Sequence, residues 1–238
     1  MARTTTSRAP RKALAETRKV LVVDIGGTHV KILATGRRAS RQVESGPEMT
    51  AEEMVAKVRK LAEGWDYDVV AIGYPGPVLH NRPILDPAHL GRGWVGFDFQ
   101  TAFGRPVKVV NDALLQAIGS YEGRRMLFIG LGTGLGTALI VDKIAQPMEL
   151  AHLPYKKHRS FEDYVGNAGL KRLGKKKWRK EVFDVVGLLK AATEPDYVVI
   201  GGGNVRLLDK LPPACRRGDN ANAFKGGFRL WEKDGIVA

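Results

Sequence analysis

Short apolar runs alternate with amphipathic stretches along this chain. The apolar runs occupy residues 20–25, 69–73, 107–110, 126–129 and 197–200. They are rich in Val and Ile and are bounded by Gly, Pro or polar residues, a pattern typical of strands that are buried on both faces. Helical spacing of apolar residues follows a capping box at residues 50–53 and recurs over residues 177–192. The alternation predicts an α/β protein.

Two segments of the chain resemble each other. Residues 20–33 read VLVVDIGGTHVKIL and residues 126–141 read MLFIGLGTGLGTALIV, each a strand, a Gly/Thr turn and a second strand. The repeat predicts two α/β lobes, residues 19–112 and 113–221, that face each other across a cleft. A closing helix over residues 222–233 is predicted to pack back on the first lobe. Residues 1–18, which are basic and poor in large apolar side chains, are predicted to form a disordered tail.

Charge and cysteine content narrow the class of protein. The formal net charge of +13 over 238 residues indicates a polyanionic partner such as nucleic acid, acidic lipid or a long phosphate chain, although a basic solvated surface explains part of it. The single cysteine, Cys215, excludes an intramolecular disulfide and a multi-cysteine zinc cluster, and it predicts a reducing, cytoplasmic location. Because the apolar runs are too short to span a membrane, no membrane partner is expected.

Glycine, threonine and polar residues follow four of the apolar runs. They are DIGGT at residues 24–28, ND at 111–112, GTG at 132–134 and GGG at 201–203. Because ligands of α/β sheets gather at the carboxyl ends of strands, we expect these segments to meet. Bare glycine amides suit phosphate, and a neighbouring carboxylate suits phosphate that arrives with Mg²⁺. Any one segment could be an ordinary turn, but the four together indicate a site that handles phosphate.

These motifs resemble those of the ROK family of actin-like sugar kinases, and within it the polyphosphate glucokinase branch. The residues that carry the resemblance are DIGGTHVK at 24–31, NDA at 111–113, LGTGLGTALI at 131–140, ELAH at 149–152, FEDYVGNAGLKRLGKKKW at 161–178 and GGGN at 201–204. The resemblance covers nearly the whole chain except the tail. It implies a two-lobed actin-like, or ribonuclease H-like, sugar kinase fold with the active site in the cleft between the lobes.

The resemblance also implies roles for individual side chains around a sugar. Asp112 would be the general base that accepts the proton of the attacking sugar hydroxyl, although a strand-end Asp can also cap the helix predicted from residue 113. The sugar-binding residues would be Asn111, Glu149, His152 and Glu162. Glu162 has a rival role in stabilising a helix terminus. Amide and carboxylate groups suit a sugar because its hydroxyls form a fixed array of donors.

On the donor side, the resemblance implies a phosphate cradle and a metal. The phosphate-binding residues would be Gly26, Gly27, Thr28, Lys31, Gly132, Thr133, Gly134, Gly201, Gly202 and Gly203. Asp24 would place Mg²⁺, indirectly, against the donor. No zinc is expected, because the position at which most ROK sugar kinases carry a cysteine cluster holds PYKKHR at residues 154–159. The family's Asn-Leu ahead of a tryptophan is replaced here by His89 and Leu90 before Trp94.

The basic residues near the predicted sugar loop suggest the phosphoryl donor. A track for polyphosphate would consist of Lys156, Lys157, Arg159, Lys171 and Lys175. Nucleic acid is not expected as a partner, because no base-stacking pattern or groove-reading motif accompanies the basic run at residues 171–180. The resemblance implies a homodimer.

The functional hypothesis is a hexose kinase that transfers a phosphoryl group from inorganic polyphosphate, or also from ATP, to the 6-hydroxyl of glucose. An ATP-dependent glucokinase or mannokinase is the alternative within the same class. A non-catalytic sensor of sugar or polyphosphate on the same fold is the alternative from another class. The intact Asp112 argues against the sensor, because a sensor needs no base.

Overall fold

The computed structural model describes residues 18–238, so the predicted tail, apart from Arg18, lies outside the described residues. The first half of the described chain forms strands β1 (Val20–Ile25), β2 (His29–Ala34), β3 (Arg41–Glu44), β4 (Val69–Tyr74), β5 (Val78–Leu79), β6 (Arg82–Pro83) and β7 (Val107–Asn111) and helices α1 (Ala51–Leu61), α2 (Phe99–Phe103) and α3 (Asp112–Ser120). The second half forms strands β8 (Arg125–Leu131), β9 (Leu135–Val141), β10 (Ile144–Met148), β11 (Tyr197–Gly201) and β12 (Cys215–Arg217) and helices α4 (Phe161–Val165), α5 (Asn167–Thr193) and α6 (Asn222–Arg229).

The two halves build sheets of the same design. The first sheet has the strand order β3-β2-β1-β4-β7 and the second has the order β10-β9-β8-β11-β12. In each sheet the first strand pairs antiparallel with the second and parallel with the fourth, and the last strand is also parallel. The repeated strand–turn–strand segment is therefore β1–β2 in one sheet and β8–β9 in the other. The similarity seen along the sequence reflects two copies of one topology.

Helices α3 and α6 lie between the two sheets. One apolar core joins them to Val22 of β1 and to Phe128 of β8. The two helices approach closely at Gly119 and Gly226, where a side chain on either residue would overlap the backbone of the other helix. Separate cores cover the outer faces, where α1 packs on the first sheet and α5 on the second. This arrangement brings the carboxyl ends of both sets of parallel strands towards the start of α3.

Some elements differ from their predicted bounds. Helix α5 consists of two helical segments on either side of Gly174, and the helix predicted over residues 177–192 lies within the second segment. The first segment was not predicted, because Leu170 and Leu173 are its only large apolar residues. Gly174 breaks this helix with φ 71° and ψ 157°, a conformation that favours glycine. The connection over residues 78–104 contains β5, β6 and α2. It is anchored by the fully buried Trp94, whose backbone N–H donates to Asp86 Oδ1 at 2.9 Å.

Within residues 18–238, no helix combines the length and the apolar character needed to cross a membrane.

Candidate active site

A cleft of about 480 Å³ opens at the carboxyl ends of β1, β7 and β8. It brings together many of the predicted site residues, namely Gly26, Gly27, Asn111, Asp112, Gly132, Thr133, Gly134, Glu149, His152, Glu162 and Gly202. Cavities of about 510 and 870 Å³ lie elsewhere, against the C-terminal segment, and contain none of these residues. Convergence of polar groups, rather than volume, therefore identifies the smaller cleft as the candidate site.

At the junction of β7 and α3, Asn111 caps the helix and Asp112 faces the cleft. Asn111 caps the helix, because its Oδ1 accepts hydrogen bonds from the backbone N–H groups of Ala113 at 2.9 Å and Leu114 at 3.2 Å. Its Nδ2 donates to the Gly76 carbonyl at 3.1 Å, which leaves one N–H for a ligand. Since Asn111 holds the cap position, the Asp112 carboxylate is placed in the first turn and faces the cleft.

The electrostatic environment of Asp112 suits a proton acceptor. Burial raises the pKa of Asp112 to about 7, and the negative charge of Asp24 is the next cause of this shift. Burial also raises the pKa of Asp24 to about 6, although the ammonium group of Lys31 opposes that shift from the paired strand. Both residues adjoin Gly73, because a Cβ on that glycine would lie 3.6 Å from the Asp112 Cα and from Asp24 Oδ1. A carboxyl whose pKa is close to neutrality can accept a proton in a reaction near pH 7.

Glu149 and His152 stand at the open side of the cleft. The two side chains belong to one short helical turn, with Glu149 Oε2 3.6 Å from His152 Nε2. They are 56% and 72% exposed, so both remain available to a ligand. The hydroxyl of Thr137 fixes the preceding loop, because it donates to the Met148 carbonyl at 2.6 Å and accepts from the Leu150 N–H at 3.3 Å.

Glu162 reaches the cleft from α4 and is held against the Gly/Thr turn of the second sheet. Its Oε2 accepts a hydrogen bond from the Leu135 N–H at 3.1 Å. A side chain on Gly134 would overlap that carboxylate and displace it from this position. The structure thus places Glu162 next to both the predicted sugar ligands and the predicted phosphate turn.

The glycine turns differ in whether a side chain would have room at each position. A Cβ on Gly132 or Gly203 would meet nothing within 4 Å, so these backbones are open to an approaching group. Gly201 is different, because a Cβ there would strike the ring of Phe128 and the residue therefore serves packing. The predicted residues outside the cleft lining are Asp24, Thr28, Lys31, Gly201 and Gly203.

The predicted polyphosphate track lies outside the cleft lining, and one member has other partners. Lys156 Nζ contacts Glu181 Oε2 at 2.8 Å and Asp184 Oδ2 at 2.9 Å, and the hydroxyl of Tyr155 bonds to the same two carboxylates. Lys156 therefore ties its loop to α5, and we leave it out of the proposed track. The other members, Lys157, Arg159, Lys171 and Lys175, are exposed.

Three polar residues of the cleft were absent from the predicted set of site residues. Asp86 and His89 come from the segment between β6 and α2, and Gln116 comes from α3. The replacement of the family's Asn by His89 was a sequence signal for that segment. Gln116 lies one helical turn after Asp112, so the helical period alone could have placed it near the base.

The residues around Asp112 fit a Mg²⁺ ion that binds together with the donor. Among the described residues, no cluster of three or more His, Cys, Asp or Glu side chains could hold a metal by itself. Mg²⁺ is commonly held by one or two carboxylates together with phosphate oxygens and water, and Asp24 beside Asp112 offers such carboxylates. The raised pKa of Asp24 shows that Lys31 compensates its burial only in part. Asp24, which is outside the cleft lining, would place the ion indirectly.

Comparison with known proteins identifies the family. A sequence model of the ROK family matches residues 20–147, more than half of the chain. The chain belongs to the ROK family. The family that the sequence motifs indicated is therefore confirmed.

Curated relatives of this ROK protein include two enzymes. A glucokinase of Pyrobaculum calidifontis is 26% identical over an alignment of 174 residues, and the match covers 64% of this chain and 58% of the relative. The bifunctional enzyme NanE/NanK of Brucella melitensis is 30% identical over an alignment of 139 residues, and the match covers 51% of this chain and 26% of the relative. This ROK chain thus covers less than two thirds of either relative.

Solved ROK structures confirm the predicted fold class. The inorganic polyphosphate/ATP-glucomannokinase of Arthrobacter sp. strain KM superimposes with a TM-score of 0.76 at 21% identity, over 89% of this chain and 97% of that one. A ROK glucokinase of Streptomyces griseus, in complex with glucose and AMPPNP, gives 0.73 at 18% identity, over 90% and 99%. A ROK transcriptional regulator, homologous to the E. coli MLC protein, gives 0.68 at 14% identity, over 90% and 77%. The chain has the α/β fold of the ROK sugar kinases.

Proposed function

We propose that this ROK protein is a hexose kinase that transfers a phosphoryl group from inorganic polyphosphate to the 6-hydroxyl of glucose. The observation that carries the proposal is Asp112, a recessed carboxylate with its pKa raised to about 7 in a cleft lined by open glycine turns. A protein that only binds sugar has no use for a proton acceptor at this position. The relatives named as glucokinases and the polyphosphate/ATP-glucomannokinase support the same class of reaction.

In the proposed reaction, Asp112 accepts the proton of the glucose 6-hydroxyl as its oxygen attacks the terminal phosphorus of the donor. The new bond joins that oxygen to phosphorus, and the bond to the bridging oxygen of the donor breaks. The shortened polyphosphate leaves with the electron pair of the broken bond. Mg²⁺, when bound, neutralises negative charge on the phosphate oxygens.

The sugar would be held by groups that surround the attacking oxygen. Asn111 has one free amide N–H, while Glu149 and His152 offer an acceptor and a ring nitrogen at the open side of the cleft. Glu162, fixed by the Leu135 N–H, completes the set. On the opposite side, the backbone at Gly132 and Thr133 would receive the transferred phosphoryl group.

The polyphosphate donor is proposed on electrostatic grounds. The chain carries a formal net charge of +13, and Lys157, Arg159, Lys171 and Lys175 are exposed on the second half of the molecule. A long polyanion held by such cations binds less tightly as salt screens them. ATP is the alternative donor, since the Streptomyces griseus relative was solved with AMPPNP. Mannose is the alternative acceptor, and the replacement of the family's Asn by His89 in the cleft bears on that choice.

A non-catalytic sensor remains the second class of function, because the family includes a transcriptional regulator of the same fold.

We retain as proposals the lobe boundaries at residues 19–112 and 113–221, the homodimer and the cytoplasmic location. The contacts of α6 with β1 and β4 support the assignment of the closing helix to the first lobe, and α6 also packs against α3, which begins the second.

The decisive experiment measures phosphorylation of glucose and of mannose by the purified protein with Mg²⁺, using long-chain polyphosphate or ATP. Turnover with polyphosphate well above ATP, falling steeply with added salt, is the expected result. Turnover with ATP alone would keep the kinase and overturn the donor assignment. Absence of turnover with every pair, in a folded protein that still binds glucose, would replace the kinase with the sensor.

A further inference from the structure

The Gly/Thr turn between β8 and β9 has all of its carbonyl groups bonded within the protein, whereas two of its N–H groups have no acceptor. The Gly134 carbonyl accepts from the Gly132 N–H at 3.1 Å, and the Thr133 carbonyl accepts from the Asn167 N–H at 3.1 Å. The Gly132 carbonyl accepts from Nδ2 of the Asn204 side chain at 3.1 Å. In the part of the chain that the structure describes, the N–H groups of Thr133 and Gly134 form no hydrogen bond. The turn is therefore left with free donors.

Asn204 sets the direction of one of these free donors through a peptide plane. In a trans peptide the C=O and the N–H point to opposite sides, so the bond from Asn204 to the Gly132 carbonyl turns the Thr133 N–H away from Asn204. The Asn167 N–H acts in the same way on the next peptide and turns the Gly134 N–H away from Asn167. The three residues of the turn line the cleft, whereas Asn204 and Asn167 do not. Both free N–H groups therefore point to the cleft side of the turn.

The position of Asn204 requires an amide. Its Nδ2 donates both to the Gly132 carbonyl and to Asn167 Oδ1, the second at 2.7 Å. A carboxylate of the same shape has no N–H to donate and could make neither contact. Asn204 is the polar residue of the GGGN segment after β11, and the reaction described above gives it no role. Its contacts join that segment to the turn after β8 and to the start of α5.

A turn that contains glycine needs such a contact to keep one conformation. Because glycine adopts positive and negative φ at similar cost, the peptide between Gly132 and Thr133 can flip. A flip would turn the Gly132 carbonyl into the cleft, where its partial negative charge repels phosphate oxygens, and would withdraw the Thr133 N–H. Backbone N–H groups that converge on one concavity bind anions. The orientation of this single peptide thus decides whether the turn can receive a phosphoryl group.

We propose that Asn204 is a positioning residue, which holds the Gly132 carbonyl away from the cleft so that the N–H groups of Thr133 and Gly134 bind the transferred phosphoryl group. The inference rests on the proposed kinase function and adds to it a residue that touches no substrate. Because polyphosphate and ATP both deliver a phosphoryl group to the turn, loss of Asn204 should affect turnover with either donor.

The test compares Asn204→Ala and Asn204→Asp with a matched control, Asn220→Ala, in which an exposed asparagine outside the cleft is changed. The measurements are kcat and KM for glucose and each donor, the Kd for inorganic tripolyphosphate with Mg²⁺, and hydrogen exchange along the chain. Both Asn204 variants should lower kcat/KM for the donor and weaken tripolyphosphate binding by about 10-fold, as expected for the loss of one hydrogen bond, while the glucose KM stays unchanged. Exchange of the Gly132 N–H should accelerate, because its bond to the Gly134 carbonyl depends on the shape of the turn. Asn220→Ala should match the wild type.

The remaining outcomes separate positioning from folding and from the kinase function. A donor kcat/KM within about twofold of the wild type in both Asn204 variants would overturn the proposal. Faster exchange throughout the chain, with parallel rises in the KM for glucose and for the donor, would overturn it in favour of a purely structural role. If the wild type has no turnover but binds tripolyphosphate, and both Asn204 variants bind it less well with faster exchange at the turn, the kinase function fails and the positioning role stands. Failure of the wild type to bind tripolyphosphate would overturn both.

Discussion

Asp24 and Asp112 lie on neighbouring parts of the structure, and the charge of one raises the pKa of the other. Asp24 lies one residue before the end of β1 and Asp112 starts α3, yet both adjoin Gly73, where a side chain would crowd them. The pKa of Asp24 is raised to about 6 and that of Asp112 to about 7. Because the two groups interact, their titration belongs to the pair, with the more basic step near neutrality.

The pH dependence of turnover should reveal this pair. Asp112 accepts a proton only when it is deprotonated, so kcat/KM for glucose should rise with pH through about 7 and then level off. The measurement is a pH–rate profile at a saturating concentration of the donor and Mg²⁺. A profile that is already flat below pH 6, well under the raised pKa, would remove Asp112 from the role of base.

Replacement of Asp112 by Asn should separate catalysis from folding. Turnover should fall by about 10²–10⁴-fold, the usual contribution of a general base, while glucose binding persists. The folded pKa of about 7 exceeds the reference value of 3.8, so the folded state retains a proton that the unfolded chain loses in this window, and stability falls as pH rises through it. Asp112→Asn should therefore melt at a higher temperature than the wild type above pH 7 and at a similar temperature below pH 4. Equal melting temperatures at both pH values would contradict the buried charge.

Replacement of Asp24 by Asn should act on both the metal and the base. Without the negative charge of Asp24, the pKa of Asp112 falls, so the acidic limb of the residual activity should move to lower pH. The Mg²⁺ concentration required for half-maximal activity should rise, since the carboxylate that would hold the ion is lost. Lys31→Met serves as the comparison, because it removes the opposing charge and should raise the pKa of Asp24. An unchanged limb in Asp24→Asn would argue against coupling.

Two glycines of the same turn should respond differently to alanine. At Gly134 the new methyl group would overlap the Glu162 carboxylate and displace it from the Leu135 N–H, so the glucose KM should rise by about 10-fold, equivalent to roughly 1.4 kcal/mol. At Gly132 a methyl group meets no protein atom within 4 Å, so Gly132→Ala should fold normally and raise the KM of the donor instead. Steady-state kinetics with each substrate varied in turn make the comparison. The same KM pattern in both variants would contradict the division of the turn.

Adjacent lysines in the loop after His152 should also differ. Lys156→Met removes contacts with Glu181 and Asp184, which should lower the melting temperature by ~2–4 °C, because a partly exposed pair contributes about 1 kcal/mol at most. Lys157→Met should leave the melting temperature unchanged and reduce the salt dependence of polyphosphate turnover. Thermal melts and a salt series distinguish the two. A loss of salt dependence in Lys156→Met, with no change in stability, would return Lys156 to the donor track.

Sequence pattern by itself determined the α/β class, the internal repeat and the segments that follow the strands. Apolar runs of strand length and the two Gly/Thr turns are local signals, and each of the two turns joins the first two strands of a sheet with the same strand order. The resemblance carried by these motifs led to the family, which the match over residues 20–147 confirms. The same motifs placed Asp112, Glu149 and Glu162 in one predicted site, and the structure brings all three to one cleft.

Tertiary structure alone decided the properties that depend on long-range neighbours. The first segment of α5, before Gly174, carries only Leu170 and Leu173 as large apolar residues, so its packing against α4 and the core of the second sheet defines it. The pKa of Asp112 depends on burial and on Asp24, far away in sequence. In the sequence, Lys156 looks like the other basic residues of its loop, and only the structure shows that Glu181 and Asp184 of α5 lie beside it. Gln116 resembles any polar helical residue until the ends of β8 and β11 enclose its amide. Desolvation and charge pairing act through space, and a linear sequence does not record which groups meet there.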